Sequence, residues 1–324
     1  MSAFPEGSGN ASPEGDLEYS GREEFANSPD HRPSASDQDS QAVDQPVTSI
    51  QSLFGIFTTL LAASCLAFWV QIGRRWSQGK PGIPSRFRDA RTHIGWTPVV
   101  LFFLWLAFQI SDRMVTDISD YSAERVATGS LIVLGLSAVL LAVMGGALVL
   151  SSRSWLDLVK LGFRCDGLPG QFRDGGLGFI AQFLPVLAVM FAMTPLRTEE
   201  TTHVMLRALQ ELGVSWEAVP IVATAVVAAP LFEELMFRVV LQGWLRSFLP
   251  AGWSIGLASL IFALVHGWAD APAIFVLALI MGTLYERRRS YVAVVTMHAL
   301  FNAFNVTAAL IALPEAVPVA PAGG

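Results

Sequence analysis

Charge is scarce in this chain. Of its 324 residues only 15% are Asp, Glu, Lys or Arg, against 52% hydrophobic. Soluble domains carry about 25% charged residues. Cysteine is scarcer still, with Cys65 in an apolar run and Cys165 in a basic connection. Two such thiols make neither a disulfide framework nor a CxxC metal site, and Cys65 reads as buried and inert. The HExxH signature of helix-borne zinc peptidases is missing. So is any basic stripe of the kind that binds nucleic acid. No basic segment followed by an apolar core stands at the start, so a signal peptide is not expected there. No internal repeat or pair of broken helices marks a transporter.

What is present is apolar sequence gathered into long blocks. Residues 1–48 are the exception. They hold ten acidic residues against two arginines, a net of −8 in a chain whose total is −6. Ser, Pro and Gly dominate the rest, and too little apolar surface is present to offset chain entropy. A disordered acidic tail is expected over 1–48. Residues 49–313 are expected to form one transmembrane domain, and the Pro- and Gly-rich residues 314–324 a second tail.

A spanning helix takes about 20 apolar residues. Eight stretches approach this: about Ile50–Ile72, Gly95–Ile110, Val126–Leu150, Gly175–Met193, Glu217–Leu245, Trp253–Trp268, Ala271–Tyr285 and Tyr291–Leu313. The expected fold is therefore all-α, a polytopic integral membrane bundle of about eight transmembrane helices, multi-pass and placed in the cell membrane. Between the third and fourth stretches, Trp155–Gly162 has the pattern of an interfacial amphipathic helix. Thr198–Leu212 reads as a polar helix or loop outside the bilayer. Lys and Arg cluster after stretches one, three, five and seven, where Glu286-Arg-Arg-Arg289 ends the seventh. Those loops are expected in the cytoplasm and both termini outside.

A few ionisable and amide groups break the apolar pattern. Leu231-Phe-Glu-Glu-Leu-Met-Phe-Arg238 places Glu233, Glu234 and Arg238 at membrane depth. Such groups face protein or a wet cavity. Glu234 and Arg238 are four apart and share a helix face, so they should pair. Glu233 points about 100° away and is left available for chemistry. Pro230, just upstream, should kink the helix. Phe262 and His266 are also four apart, as are His298 and Asn302, with Asn305 continuing that stripe as interhelical glue. Counted from the basic ends, Glu233, His266, His298 and Asn302 lie at one level, roughly 14–20 Å deep at 1.5 Å per residue. His31, His93 and His203 fall outside it and read as solvent-facing.

The three motifs, Glu233-Glu234-x-x-x-Arg238, Phe262-x-x-x-His266 and His298-x-x-x-Asn302, resemble those of the CPBP family of intramembrane proteases. This is the CAAX protease and bacteriocin-processing, or Abi, family. The resemblance covers about residues 175–312. Val239 stands where that family often has Gly. The resemblance implies an endopeptidase acting on membrane-associated protein or peptide substrates within the lipid bilayer. It implies that Glu233 and His266 activate water and that His298 and Asn302 stabilise the oxyanion. Glu234 and Arg238, with Phe262, would support the site. Burial can raise a carboxylate into the range of a general base. Whether a metal takes part is open: the resemblance is compatible with a glutamate acting with no metal and with zinc, for which Glu233, His266 and His298 would make a His₂Glu set. Two other classes are compatible with the same residues, a non-catalytic membrane binding or immunity protein and a proton-coupled transporter.

Overall fold

Helix ends in this chain sit where its prolines and glycines sit. A computed structural model describes residues 49–85, 94–115, 122–196 and 204–311. Among them there are ten α-helices and no strand: α1 (Ser49–Ser77), α2 (Trp96–Val115), α3 (Ala123–Ser151), α4 (Trp155–Lys160), α5 (Leu168–Met193), α6 (Val204–Leu212), α7 (Val219–Phe248), α8 (Ala251–Leu264), α9 (Ala271–Arg288) and α10 (Tyr291–Ile311). Pro169, Pro220 and Pro272 each stand in the first turn of α5, α7 and α9, where a missing N–H costs nothing. The expected tails over 1–48 and 314–324, and His31, His93 and His203, lie outside the described residues.

Among the described residues five helices are long and apolar enough to cross a membrane: α1, α3, α5, α7 and α10. The other three expected spans, α2, α8 and α9, are helical but fall short of that measure. The stretches Trp96–Ser111 and Ala251–Leu264 are apolar but shorter. The sixth expected span, Trp253–Trp268, is where the sequence misleads most. Its helix stops at Leu264, and residues 265–270 form a turn in which Gly267 takes φ +99°. His266 is therefore in a turn, not on a helix face. A positive φ is a conformation that glycine adopts freely and that breaks the helix.

Two prolines lie inside helices, and each frees a carbonyl that another helix takes up. Pro185 in α5 has no N–H for the carbonyl of Ala181, four residues back. That oxygen instead accepts from Trp69 Nε1 at 2.9 Å and from the buried Cys65 thiol at 3.6 Å, both on α1. In α7 the stretches Thr224–Ala228 and Leu235–Gln242 are π-helical, so the expected kink at Pro230 takes the form of a register change. Ala229 N–H bonds to Thr224 O, five residues back. In that register the donor to Ala225 O would be the nitrogen of Pro230, which carries no hydrogen.

The helices close on one core. α5 packs against α10, α9 and α1, and α8 against α9 and α7. Aromatic rings cross the centre edge to face: Phe102 on Phe237 at 5.5 Å, Phe237 on Phe262 at 4.9 Å and Trp105 on Phe232 at 5.3 Å. Each such pair contributes about 0.5–1.5 kcal/mol beyond its buried area. A second cluster joins α6 to α3 and α7 through Leu209, Ala127, Ile221 and, from α10, Val306. The region expected to be a polar segment over Thr198–Leu212 thus contains a helix with a buried apolar face.

The basic connection after α9 is less exposed than its sequence suggests. Arg289 is 2% exposed and bonds Glu286 at 2.9 Å, while Arg246 bonds the other oxygen of Glu286 at 2.9 Å. Arg288 pairs with Asp174 at 3.2 Å. Tyr285 donates its hydroxyl to Leu161 O at 2.7 Å. These contacts tie α7, α9 and the α4–α5 connection into one closed end.

α5 and α10 approach so closely that Gly175 has no room for a side chain. A Cβ there would stand 2.6 Å from Ala293 O and 2.7 Å from Thr296 Cβ, whereas one on Gly176 would meet nothing within 4 Å. Gly175→Ala is expected to lose roughly 1–3 kcal/mol through overpacking. Gly176→Ala should change little. Thermal unfolding of the two variants in detergent checks this, and equal midpoints would contradict the packing described.

Candidate active site

The long α7 helix carries its two carboxylates in different directions. Glu234 is fully buried and accepts from Arg238 Nε at 3.0 Å, the i, i+4 pair expected from the spacing. Its second oxygen accepts from His298 Nδ1 of α10 at 2.9 Å. A carboxylate engaged by a guanidinium accepts and does not donate, so Nδ1 carries a proton and Nε2 of His298 faces the cavity. Nε2 lies 3.9 Å from Glu233 Oε2.

His266 reaches the same oxygen from the other side. Its Nδ1 lies 2.7 Å from Phe262 O. A carbonyl only accepts, so Nδ1 is again the protonated nitrogen. The ring thus caps the frayed end of α8, using a carbonyl left over by helix termination. That bond turns Nε2 toward Glu233 Oε2, at 3.6 Å. Glu233 and His266 are both 23% exposed, against 5% for His298. His266 reaches Glu233 even though it is off the helix, because the turn follows the helix end directly.

Phe262 is the spacer of the group. Its ring lies 4.5 Å from that of His266 and 6.0 Å from that of His298. The Arg238 guanidinium carbon sits 5.0 Å from the ring centroid. Arg238 is fully buried and its two Nη atoms make no hydrogen bond. The aromatic face is the compensation the structure offers for that charge.

Asn302 does something that no sequence pattern announces. Its Nδ2 donates to Ala225 O at 2.7 Å, the carbonyl deprived of a partner by Pro230. This bond holds the Asn302 amide beside the cavity, with its second N–H and its oxygen uncommitted by it. Asn305, expected as glue between helices, instead donates to Phe301 O of its own helix at 2.8 Å and lines the cavity.

The cavity has a volume of about 440 Å³ and is lined by Glu233, His266, His298 and Asn302 among mainly apolar side chains. Sequence reasoning missed several of its residues. Gln109, Thr224 and Asp270 also line it. It missed Gln242 as well, fully buried one turn beyond Arg238, with Nε2 donating to Gly282 O at 3.0 Å. A Cβ on Gly282 would fall 2.9 Å from Gln242 Oε1 and 3.6 Å from Arg238 Nη1. The only signal was a second polar residue four positions after Arg238 in an apolar run.

Residues 215–304 match the sequence model of a family described as Rce1-like, type II CAAX prenyl endopeptidase. This segment is similar to that family. The match is consistent with the CPBP/CAAX protease resemblance and contains all three motifs, although it is narrower than residues 175–312. No curated protein and no solved structure matches the chain. Val239, the departure in the first motif, is fully buried in the core of the Rce1-like segment. As a zinc set, Glu233, His266 and His298 have the right donor types. Among the described residues, however, no three His, Cys, Asp or Glu side chains are grouped so as to hold a metal ion.

The two carboxylates should respond differently to removal. Glu234→Ala strands a buried guanidinium and is expected to cost about 3–5 kcal/mol. Glu233→Ala, on a partly exposed carboxylate, should stay within about 1 kcal/mol of the parent. Denaturant titration in detergent measures both. A destabilised Glu233→Ala beside an unaffected Glu234→Ala would reverse the assignment.

Proposed function

We propose that this protein is an intramembrane endopeptidase that hydrolyses peptide bonds in membrane-associated polypeptides. The carrying observation is the convergence of His266 Nε2 and His298 Nε2 on one oxygen of Glu233, at 3.6 and 3.9 Å. The family match implies a peptidase, and the apolar helices a membrane protein. The multi-pass placement in the cell membrane belongs to the same proposal. In this reading α2 and α9 cross the bilayer with the five long helices, and α8 enters it without reaching the far side.

In this reading a water molecule lies between Glu233 and His266. Glu233 takes one of its protons as the oxygen attacks the scissile carbonyl carbon. The carbonyl π bond opens and its electron pair becomes the oxyanion. His298, with a second proton taken up from solvent, keeps its Nδ1–H on the Glu234 carboxylate and presents an Nε2–H to that oxyanion, and the Asn302 amide adds a second donor. Donors fixed before the reaction in a site shielded from water supply a large share of such catalysis. The intermediate then collapses, the C–N bond breaks, and Glu233 returns its proton to the leaving amine. Arg238 and Phe262 touch none of the reacting atoms and hold Glu234 in place. Water activation here is assigned to Glu233 without a metal.

Purified protein in detergent is expected to cleave membrane peptides. Glu233→Gln should lower the rate about 10²–10⁴-fold, the usual contribution of a general base. Unchanged cleavage by both Glu233→Gln and His298→Ala would sink the assignment. Chelation should leave the wild-type rate unchanged. Loss of activity with EDTA and its return with zinc would move the chemistry to a metal.

A further inference from the structure

The cavity has two unlike ends. On one side of Glu233 the bundle is closed by buried polar contacts: Gln242 on Gly282 O, Tyr285 on Leu161 O, and Ser290 on Gln171. On the other side the lining runs outward through Gln109, six residues before the end of α2, and Val133, ten residues into α3. It continues through Met205 and Leu206 of α6 and Asn305 near the end of α10. Val133 is 42% exposed.

The α8–α9 turn points the same way. α8 has 14 residues, which is about 21 Å at 1.5 Å per residue. A hydrocarbon core is about 30 Å thick. The helix therefore turns back before crossing, and residues 265–270 present non-helical backbone at membrane depth. Such backbone is tolerated where it is buried in protein or lines a water-filled cavity. His266 and Asp270, both in this turn, line the cavity. Water thus has its route to Glu233 from the side that α8 fails to reach.

Charge says which side that is. The α1–α2, α3–α5, α7–α8 and α9–α10 connections, with the helix turns beside them, hold fourteen Lys and Arg and five acidic residues in sequence. The α2–α3, α5–α7 and α8–α9 connections, counted the same way and with α6 included, hold four Lys and Arg and nine acidic residues. Lys and Arg in short loops are retained in the cytoplasm. The closed end is therefore cytoplasmic and the open end is not.

We infer that the cavity is entered from the non-cytoplasmic face, and that its substrate is a polypeptide segment exposed on that face next to the membrane. A lipidated C-terminus presented from the cytosol does not fit this opening. The word substrate rests on the proteolytic reading above, while the route of entry does not. An apolar wall of Met205, Leu206, Val306 and Phe301 suits an apolar juxtamembrane stretch drawn partly into the bundle.

Thiol accessibility tests this without any hydrolysis. Cys165 is exposed in the α4–α5 connection at the closed end and serves as the native cytoplasmic reporter. Val133→Cys and, separately, Met205→Cys are made in a Cys165→Ser background of the full chain. A membrane-impermeant sulfonated maleimide is applied to right-side-out vesicles before and after permeabilisation. The expected result is labelling of V133C and M205C in intact vesicles, at least about tenfold faster than Cys165 of the parent. Cys165 should react only after permeabilisation. The opposite pattern overturns the inference. So does failure of both introduced thiols to react even after permeabilisation, since the cavity would then hold no water. Using two positions covers the failure of either variant to fold. A non-cytoplasmic labelling pattern in a protein that cleaves nothing would refute the proteolytic reading and leave the entry route standing.

Discussion

The fully buried contact of Glu234 with Arg238 and His298 is what the rest of the site depends on. An isolated charge at this depth would cost several kcal/mol. Here one carboxylate receives a guanidinium at 3.0 Å and an imidazole at 2.9 Å, so α7 and α10 are joined through a single side chain. The ring is thereby fixed in direction, with its Nδ1–H held on Glu234. Without that acceptor nothing would compel Nε2 of His298 to face Glu233. The Phe262 ring closes the back of the arrangement by covering the guanidinium, and the same residue's carbonyl orients His266. Each motif therefore supplies a partner to another, which is why the three appear together.

Backbone irregularity is the second constraint. Pro230 cannot donate, and the π register of α7 leaves Ala225 O to Asn302. π-helical turns occur often at functional sites because they re-aim side chains and expose carbonyls. The same device, a proline that frees a carbonyl, binds α1 to α5 at Pro185. In one case the result is a packing contact and in the other a placed amide in a cavity. The chemistry of the donor decides the difference: an indole can only donate, whereas a carboxamide retains a further donor and an acceptor.

The uneven distribution of charge joins the fold to the membrane. At one end of the bundle Arg246, Arg288 and Arg289 are paired with carboxylates and tied to neighbouring elements. At the other, α8 ends after 14 residues and the turn that follows lines the cavity beside Glu233. In the proposed reading that cavity is where water meets the carboxylate, since the surrounding hydrocarbon carries none.

The sequence by itself determined the helical class, the apolar blocks and the pairing of Glu234 with Arg238, since period and spacing alone put those two on one face. It also singled out Glu233, His266, His298 and Asn302, because polar groups in apolar runs are costly enough to be conspicuous. Three of its eight expected spans form helices that fall short of the other five in length or hydropathy, because an apolar stretch does not announce where a turn will end its helix. It could not see His266 leave the helix, the unmet carbonyl that holds Asn302, or the place of Gln242 against Gly282. Only the tertiary structure decided which nitrogen of each histidine faces the cavity and which carboxylate both address. Those facts depend on partners distant along the chain, sixty-four residues in the case of Glu234 and His298. Hydrogen-bond direction between such partners is set by packing, and one helix's periodicity carries no information about it.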